Sequence, residues 1–230
     1  MSKEKTGFLD SNIYPVLFML IITIVFVGVL SILYRSTEKG IETYKKQTYQ
    51  MQILTLFADT LSATTGTDKA ALADLTKLND NFKQFITEKQ LPKATGAAVN
   101  RKYYVATSDK GIALGYCFDV TGSGLWGTMR GLIAVTPDFN KIINFIIYDQ
   151  METPGLGARV EEPWFKAQFA GKTLINAKTI SDFILVPEEA QPADLQIKQI
   201  TGATITSSSV LKIIKAAALE LSNDFDLKAK

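Results

Sequence analysis

Histidine is absent from this 230-residue sequence, and cysteine occurs once, at Cys117. Without imidazole there is no Ser-His-Asp triad, no histidine-ligated haem and no His-containing zinc site. A single thiol excludes a disulfide within the chain and an iron–sulfur cluster held by this chain alone. Cys117 lies in the apolar run Ile112 to Val120 and reads as a small buried hydrophobe. Excess charge is lacking too. The 25 Lys and Arg against 23 Asp and Glu leave a net charge of +2, and there is no dense basic stripe, so nucleic acid is not an expected partner. The sequence nominates no metal ligand and no catalytic acid or base. Any redox chemistry must come from an acquired cofactor.

No charged residue stands between Asp10 and Arg35. Ser11 to Tyr34 supplies the ~20 apolar residues that a spanning helix needs. Pro15 sits near its start, where a helix tolerates proline, and Tyr14 and Tyr34 suit the two interfaces. A cleaved signal peptide fits less well, because the run is too long and no A-x-A-like site follows. Lys3 and Lys5 precede the span, while Arg35, Lys39, Lys45 and Lys46 follow it. That bias runs against export of what comes next. The expected organisation is a short N-terminus (1–10), a transmembrane helix (11–34), a helical stalk or packing region (35–100) and a C-terminal domain (101–230). In the stalk, Tyr44, Tyr49, Ile53, Leu54 and Phe57 form a loose helical stripe. Residues 62–68 read as a turn. Thr67 or Asp68 then caps a second helix through Ala70, Leu72, Leu75, Leu78, Phe82 and Phe85.

Beyond residue 102 the texture changes. Tyr103–Ala106, Ile112–Val120, Gly131–Val135 and Ile142–Tyr148 read as strands between Gly, Asp, Pro and Asn turns, with Asp182–Val186 as a further candidate. Pro163–Phe169 reads as a short helix able to turn Trp164, Phe165 and Phe169 inward. Pro187–Pro192 reads as loop, and a last helix is expected from about Ser207 to Asn223. Strands followed by flanking helices predict an α+β domain.

Three glycine-containing segments bracket the strands: Thr121–Gly127, Glu152–Gly157 and Thr201–Thr204. Each alone reads as a turn. Trp126 alone reads as core, and Glu152 as a solvated carboxylate. The third segment runs on through Ile205, Thr206, Ser207, Ser208 and Ser209, so six hydroxyls fall within a few residues. Two readings stay open. The stretch is an ordinary Ser/Thr cap for the last helix, or it holds a phosphate at that helix's N-terminus. Composition alone does not choose among the hydroxyls.

Together these segments resemble the FMN-binding domain shared by the C subunit of the sodium-pumping NADH:quinone oxidoreductase and the G subunit of the Rnf ferredoxin:NAD complex. The resemblance rests on Glu152-Thr153-Pro154-Gly155-Leu156-Gly157 and on Thr201-Gly202-Ala203-Thr204. Gly124-Leu125-Trp126 and Glu161 through Lys172 look more like the Nqr protein. It implies an α+β fold: one N-terminal transmembrane helix, a helical stalk, and an antiparallel-sheet FMN-binding domain with flanking helices. It implies FMN joined through its phosphate to Thr204, with Thr201, Gly202, Ala203, Thr206, Gly124, Leu125, Trp126, Glu152, Thr153, Gly155, Leu156 and Gly157 around it. Gly155 and Gly157 would admit the flavin to the backbone, and Trp126 and Leu156 would cover a ring face. The implied partners are the other subunits of a membrane redox complex, a flavin transferase and membrane lipid. The implied location is a bacterial inner membrane, crossed once, with the flavin domain on the periplasmic or extracellular side. An electron relay needs no general base, which accords with the missing histidines. One departure stands out. The transferase motif usually has aspartate six residues before the acceptor threonine; here that position is Lys198, followed by Gln199 rather than glycine. The alternative of a different class is a membrane-anchored binding or assembly protein whose glycine loops are structural.

Overall fold

The computed structural model describes residues 13–72, 74–91, 101–176 and 179–227. The expected N-terminal segment 1–10, its two lysines and the first two residues of the 11–34 span lie outside them. The chain divides into two compact units, Met1–Thr48 and Tyr49–Lys230.

The first helix, α1, runs Ile13–Thr65. In the first unit its apolar residues, among them Val16, Phe18, Met19, Leu20, Ile24, Phe26 and Leu30, are exposed. The helix is long and apolar enough to cross a membrane. Within the apolar stretch the Thr23 hydroxyl donates to the Met19 carbonyl at 2.8 Å, a bond that would satisfy it in hydrocarbon.

In the second unit the end of α1 belongs to a core. Ile53, Leu54, Leu56, Phe57 and Leu61 are buried at helical spacing. They pack with one face of a five-stranded antiparallel meander, order β1-β2-β3-β4-β5. Its strands are β1 (Ile86–Gln90), β2 (Lys102–Thr107), β3 (Ala113–Ser123), β4 (Thr128–Val135) and β5 (Ile142–Asp149). Side chains alternate along β4: Leu132 and Ala134 join the α1 side, while Met129, Ile133 and Val135 join the opposite core. A sheet buried on both faces accounts for the near-continuous apolar run Leu132–Val135. On the second face lie a 3-10 turn (Gly157–Glu161), α4 (Pro163–Ala167) and α5 (Thr204–Asp224). Phe165, Phe169, Val210, Ile213, Ile214, Ala217, Ala218 and Leu221 fill that core, and Trp164 is only partly buried against it. Two short ladders, β6 (Ile175–Asn176) with β7 (Thr179–Ile180) and β8 (Ile184–Val186) with β9 (Gln196–Lys198), complete the unit. The expected class, α+β with an antiparallel sheet and flanking helices behind one long apolar helix, is the fold observed.

Four local differences have physical causes. First, β1 falls in a stretch expected to be helical. Its sequence Ile-Thr-Glu-Lys-Gln has one apolar residue; Ile86 is buried and the other four are exposed, as on a charged edge strand. Second, the expected second helix is two, α2 (Lys69–Leu72) and α3 (Leu78–Phe85). The Asp74 carboxylate takes the Thr76 N–H at 2.9 Å and its hydroxyl at 2.7 Å, an Asx turn that replaces helical bonding and leaves Leu75 exposed. Asp68 does cap α2, accepting from the Ala70 N–H at 3.2 Å. Third, β3 and β4 continue past the expected ends to the pair Ser123–Thr128, so the first glycine segment is a hairpin tip. Fourth, α5 begins at Thr204, three residues early. Cys117 is buried as expected, and burial raises its thiol's pKa.

Candidate functional site

The three glycine segments converge on one carboxylate. The β3–β4 tip closes with the Gly124 N–H donating to the Gly127 carbonyl at 2.7 Å. Glu152, just after β5, is 5% exposed, not the solvated carboxylate its type suggests. Its Oε1 accepts the Leu125 N–H at 2.7 Å and the Trp126 N–H at 3.1 Å. Its Oε2 accepts the Thr206 hydroxyl, from the first turn of α5, at 2.6 Å. Small residues make this possible. A Cβ at Gly157 would lie 2.7 Å from both Glu152 Oε2 and Thr206 Oγ1, and one at Gly124 would fall on Glu152 Oε1 and 2.8 Å from the Met129 sulfur.

The second and third segments share a turn geometry. The Leu156 N–H donates to the Thr153 carbonyl at 3.1 Å, with Pro154 second and Gly155 third in the turn at φ +75°. The Ala203 N–H donates to the Ile200 carbonyl at 2.9 Å, with Gly202 third at φ +78°. A positive φ at that place is the type II signature, and it selects glycine. Leu156 covers the second of these turns, its Cδ2 3.0 Å from where a Gly202 Cβ would stand.

The start of α5 separates the hydroxyls. Ala203 is its N-cap, and no side chain caps the helix. The expected Ser/Thr cap is therefore not there, because the early start of α5 puts Ala203 at the N-cap and leaves Thr206 and Ser207 inside the helix, bonded elsewhere. Thr206, 1% exposed, is committed to Glu152. Ser207 accepts from the Ile200 N–H and donates to the Ala203 carbonyl, both at 3.0 Å, pinning the turn to the helix. Ser209 is buried and Ser208 half-buried, whereas Thr201 and Thr204 are exposed. The three segments also carry exposed apolar groups: Trp126 at 68%, Ile205 at 61%, and Leu125 and Leu156. Trp126 is thus a surface residue, not core. Among the described residues, no group of three His, Cys, Asp or Glu is placed to hold a metal.

Residues 124–219 match the FMN-binding domain family. The match runs from the hairpin tip through the Glu152 turn and Thr204 into α5. The chain is 36% identical over 107 residues to the C subunit of the Na(+)-translocating NADH-quinone reductase of Pasteurella multocida, covering 46% of this chain and 41% of that protein. It is 38% identical over 95 residues to the same protein of Pseudomonas aeruginosa, covering 40% of this chain and 36% of that one. The aligned stretch is thus less than half of either relative's length. Two solved structures share the fold. Shewanella oneidensis NqrC superposes with a TM-score of 0.58 at 20% identity, covering 74% of this chain and 95% of its own. The corresponding protein from Parabacteroides distasonis gives 0.59 at 23%, covering 82% and 97%.

Within the matched stretch a second carboxylate buttresses the Thr201 turn. Glu188 Oε2 accepts the Thr201 N–H at 2.8 Å, and its Oε1 pairs with Arg159 Nη2 at 2.8 Å. Arg159 also bonds Glu162 and lies 5.4 Å from the Trp164 ring centroid. The Arg159 hydrogen bond, then the Thr201 N–H, pull the Glu188 carboxyl from its ordinary 4.5 down to about 2. A depressed folded-state value means the anchor is fully present above the ordinary carboxylate range and is lost only as pH falls toward 2. We therefore expect the Thr201 amide to stay protected from hydrogen exchange at pH 5 and 7. In Glu188→Ala it should exchange faster at both. Equal protection in the variant would show that the anchor contributes nothing. Neither Glu188 nor Arg159 is visible as a site residue in the sequence, since Glu188 sits in a stretch that reads as plain loop. Gln168 is equally hidden: its side-chain oxygen accepts the Lys198 N–H at 2.7 Å, fixing the backbone six residues before Thr204.

Proposed function

We propose that Thr204 carries FMN through a phosphoester, and that the chain is the electron-carrying subunit of a sodium-translocating NADH:quinone oxidoreductase. The observation that carries this reading is the sorting of hydroxyls. Of the six hydroxyl-bearing residues in Thr201–Ser209 only Thr201 and Thr204 are exposed, and Thr204 alone also opens an uncapped helix.

The residues present fit the cofactor. A phosphate on Thr204 would meet the free N–H groups and positive dipole end of α5, a 21-residue helix. Leu125, Trp126, Leu156 and Ile205 offer apolar walls for a flavin ring. The turns of Thr153–Leu156 and Thr201–Ala203 flank it, and Gly155 has open space where a Cβ would stand. Attachment would exchange the Thr204 O–H bond for an O–P bond: the donor on the flavin transferase, an FMN phosphoanhydride, would lose its other phosphate as the P–O–P bond breaks, and the threonine proton would leave with that phosphate. Lys198 and Gln199 alter the usual recognition sequence for that enzyme and leave the acceptor oxygen in place. Bound here, FMN supplies the electron-transfer chemistry, and the protein supplies position and environment. The remaining subunits of the complex are the donor and acceptor of those electrons. The segment 1–10 lies on the cytoplasmic side, the helix within 11–34 is the anchor in lipid, and the flavin domain lies outside the cytoplasm.

The test uses the full chain, produced in a bacterial membrane together with a flavin transferase. The purified protein should stay yellow after denaturation, gain the mass of one FMN less one water, and yield that mass in the peptide bearing Thr204. Protease added outside spheroplasts should remove the domain. A colourless protein of unmodified mass favours a binding or assembly role, and complete protection from protease reverses the topology.

A further inference from the structure

We propose that Glu152 is the positioning residue of this site, resting on the reading that Thr204 carries the flavin. Among the described residues its carboxylate is the one side-chain group bonded to two of the three segments, and it immediately precedes the turn that forms the remaining one. Oε1 holds the Leu125 and Trp126 amides, and so the apolar wall at the hairpin tip. Oε2 holds Thr206, two residues beyond the acceptor on a rigid helix. Glu152 thus sets the separation between the wall that covers the ring and the oxygen that takes the phosphate. Without it the hairpin tip is joined to α5 by no other side-chain hydrogen bond among the described residues.

The chemistry of the pocket explains the residue type. Two backbone donors and one hydroxyl point at a buried group from two sides, and a side chain with two terminal polar atoms on a two-carbon stem reaches both. Aspartate is one methylene short. Glutamine can present its carbonyl to the two amides and its amide to Thr206, because a hydroxyl can reverse from donor to acceptor. Alanine leaves three donors, the buried Thr206 hydroxyl among them, without their carboxylate partner. Small misplacements of reacting groups are costly: about 1 Å can lower a rate ~100-fold.

The experiment compares the rate of covalent FMN incorporation, by intact mass, in full-length wild type, Glu152→Ala, Glu152→Gln, Thr206→Val and Thr206→Ser, each produced with the transferase. Visible-region circular dichroism of the attached flavin reports on the wall, and near-ultraviolet circular dichroism reports on folding. We expect Glu152→Ala to attach flavin at least ~10-fold more slowly, in line with the sensitivity to misplacement. The flavin it does carry should have an altered dichroic spectrum. Glu152→Gln should stay within about twofold of wild type, as should Thr206→Ser, since both keep the hydrogen-bond pattern. Where Glu152→Ala does not fold, Thr206→Val decides, since it cuts only the α5 arm: slowed attachment in a folded protein supports the proposal. Wild-type rate and spectrum in a folded Glu152→Ala or Thr206→Val overturn it, as does an equal loss in Glu152→Gln. A wild type that carries no flavin at all refutes instead the assignment of Thr204.

Discussion

Thr204→Ala should abolish covalent FMN while leaving the fold intact. Thr204 is the first residue of α5, exposed, and its side chain does not cap the helix. Deleting its hydroxyl therefore leaves no buried group unpaired, and the stability change should stay within the ~0.5 kcal/mol typical of surface positions. Thr206→Ala should do the reverse. Its hydroxyl is buried against Glu152, so removal strands a carboxylate oxygen and should cost about 1–3 kcal/mol. The acceptor oxygen survives, so flavin should still accumulate at long times even if attachment is slow. Thr204→Ser should retain some attachment. The two assays are fluorescence of the denatured gel band with intact mass, and the urea midpoint. A fluorescent band from Thr204→Ala, or a permanently dark one from Thr206→Ala alone, would move the phosphoester to another oxygen. The same variants separate the chemical role of this stretch from the capping role that its composition advertises.

The sequence displays what depends on periodicity. The apolar faces of α1 and α5 and the strands β2 to β5 are legible because a buried face imposes a repeat of 3.6 or 2 residues. It hides what depends on partners distant in the chain. β1 has one apolar residue, and its place is fixed by hydrogen bonding to β2 across residues 91–101. Asp74 breaks a helix that Leu72, Leu75 and Leu78 would otherwise continue, because a local Asx turn competes with helical bonding. The site residues were nameable as three motifs, but their mutual tie was not. Nothing in Glu152's neighbourhood says that a residue 54 positions later donates to it. The capping expectation failed for the same reason. Ser and Thr near a helix start favour capping on average, yet here Thr206 and Ser207 have better-placed partners in Glu152 and Ile200. Motif spacing singled out the three segments, and only the packing says which of their hydroxyls stay exposed.

That division of labour extends to the two glycines of the Glu152–Gly157 segment, which should respond differently to a side chain. At Gly157 a Cβ would sit 2.7 Å from two oxygens already bonded to each other and 2.9 Å from Glu152 Cβ. Glu152 Oε2 ends a side chain but is held by the Thr206 hydroxyl, and Glu152 Cβ cannot swing away, so the tie must open or the turn must move. Overpacking typically costs about 1–3 kcal/mol, and a disrupted buried hydrogen bond adds about 1–3 kcal/mol. Gly157→Ala should therefore lower the thermal midpoint strongly, and flavin loading with it. Gly155 differs. A Cβ there meets nothing within 4 Å, and its φ of +75° is the only obstacle. The left-handed conformation costs an alanine roughly 1 kcal/mol, so Gly155→Ala should be mildly destabilised and otherwise normal. Gly155→Val puts a branched side chain into the space assigned to the flavin. It should reduce loading more than its modest loss of stability explains. Melting curves of the unloaded proteins, set beside flavin content by mass, separate the effects. Full loading of Gly155→Val with an unchanged flavin spectrum would confine Gly155 to its role in the turn. A Gly157→Ala protein as stable as wild type would mean that the Glu152–Thr206 contact yields at little cost, and that the three segments are held together by something other than that carboxylate.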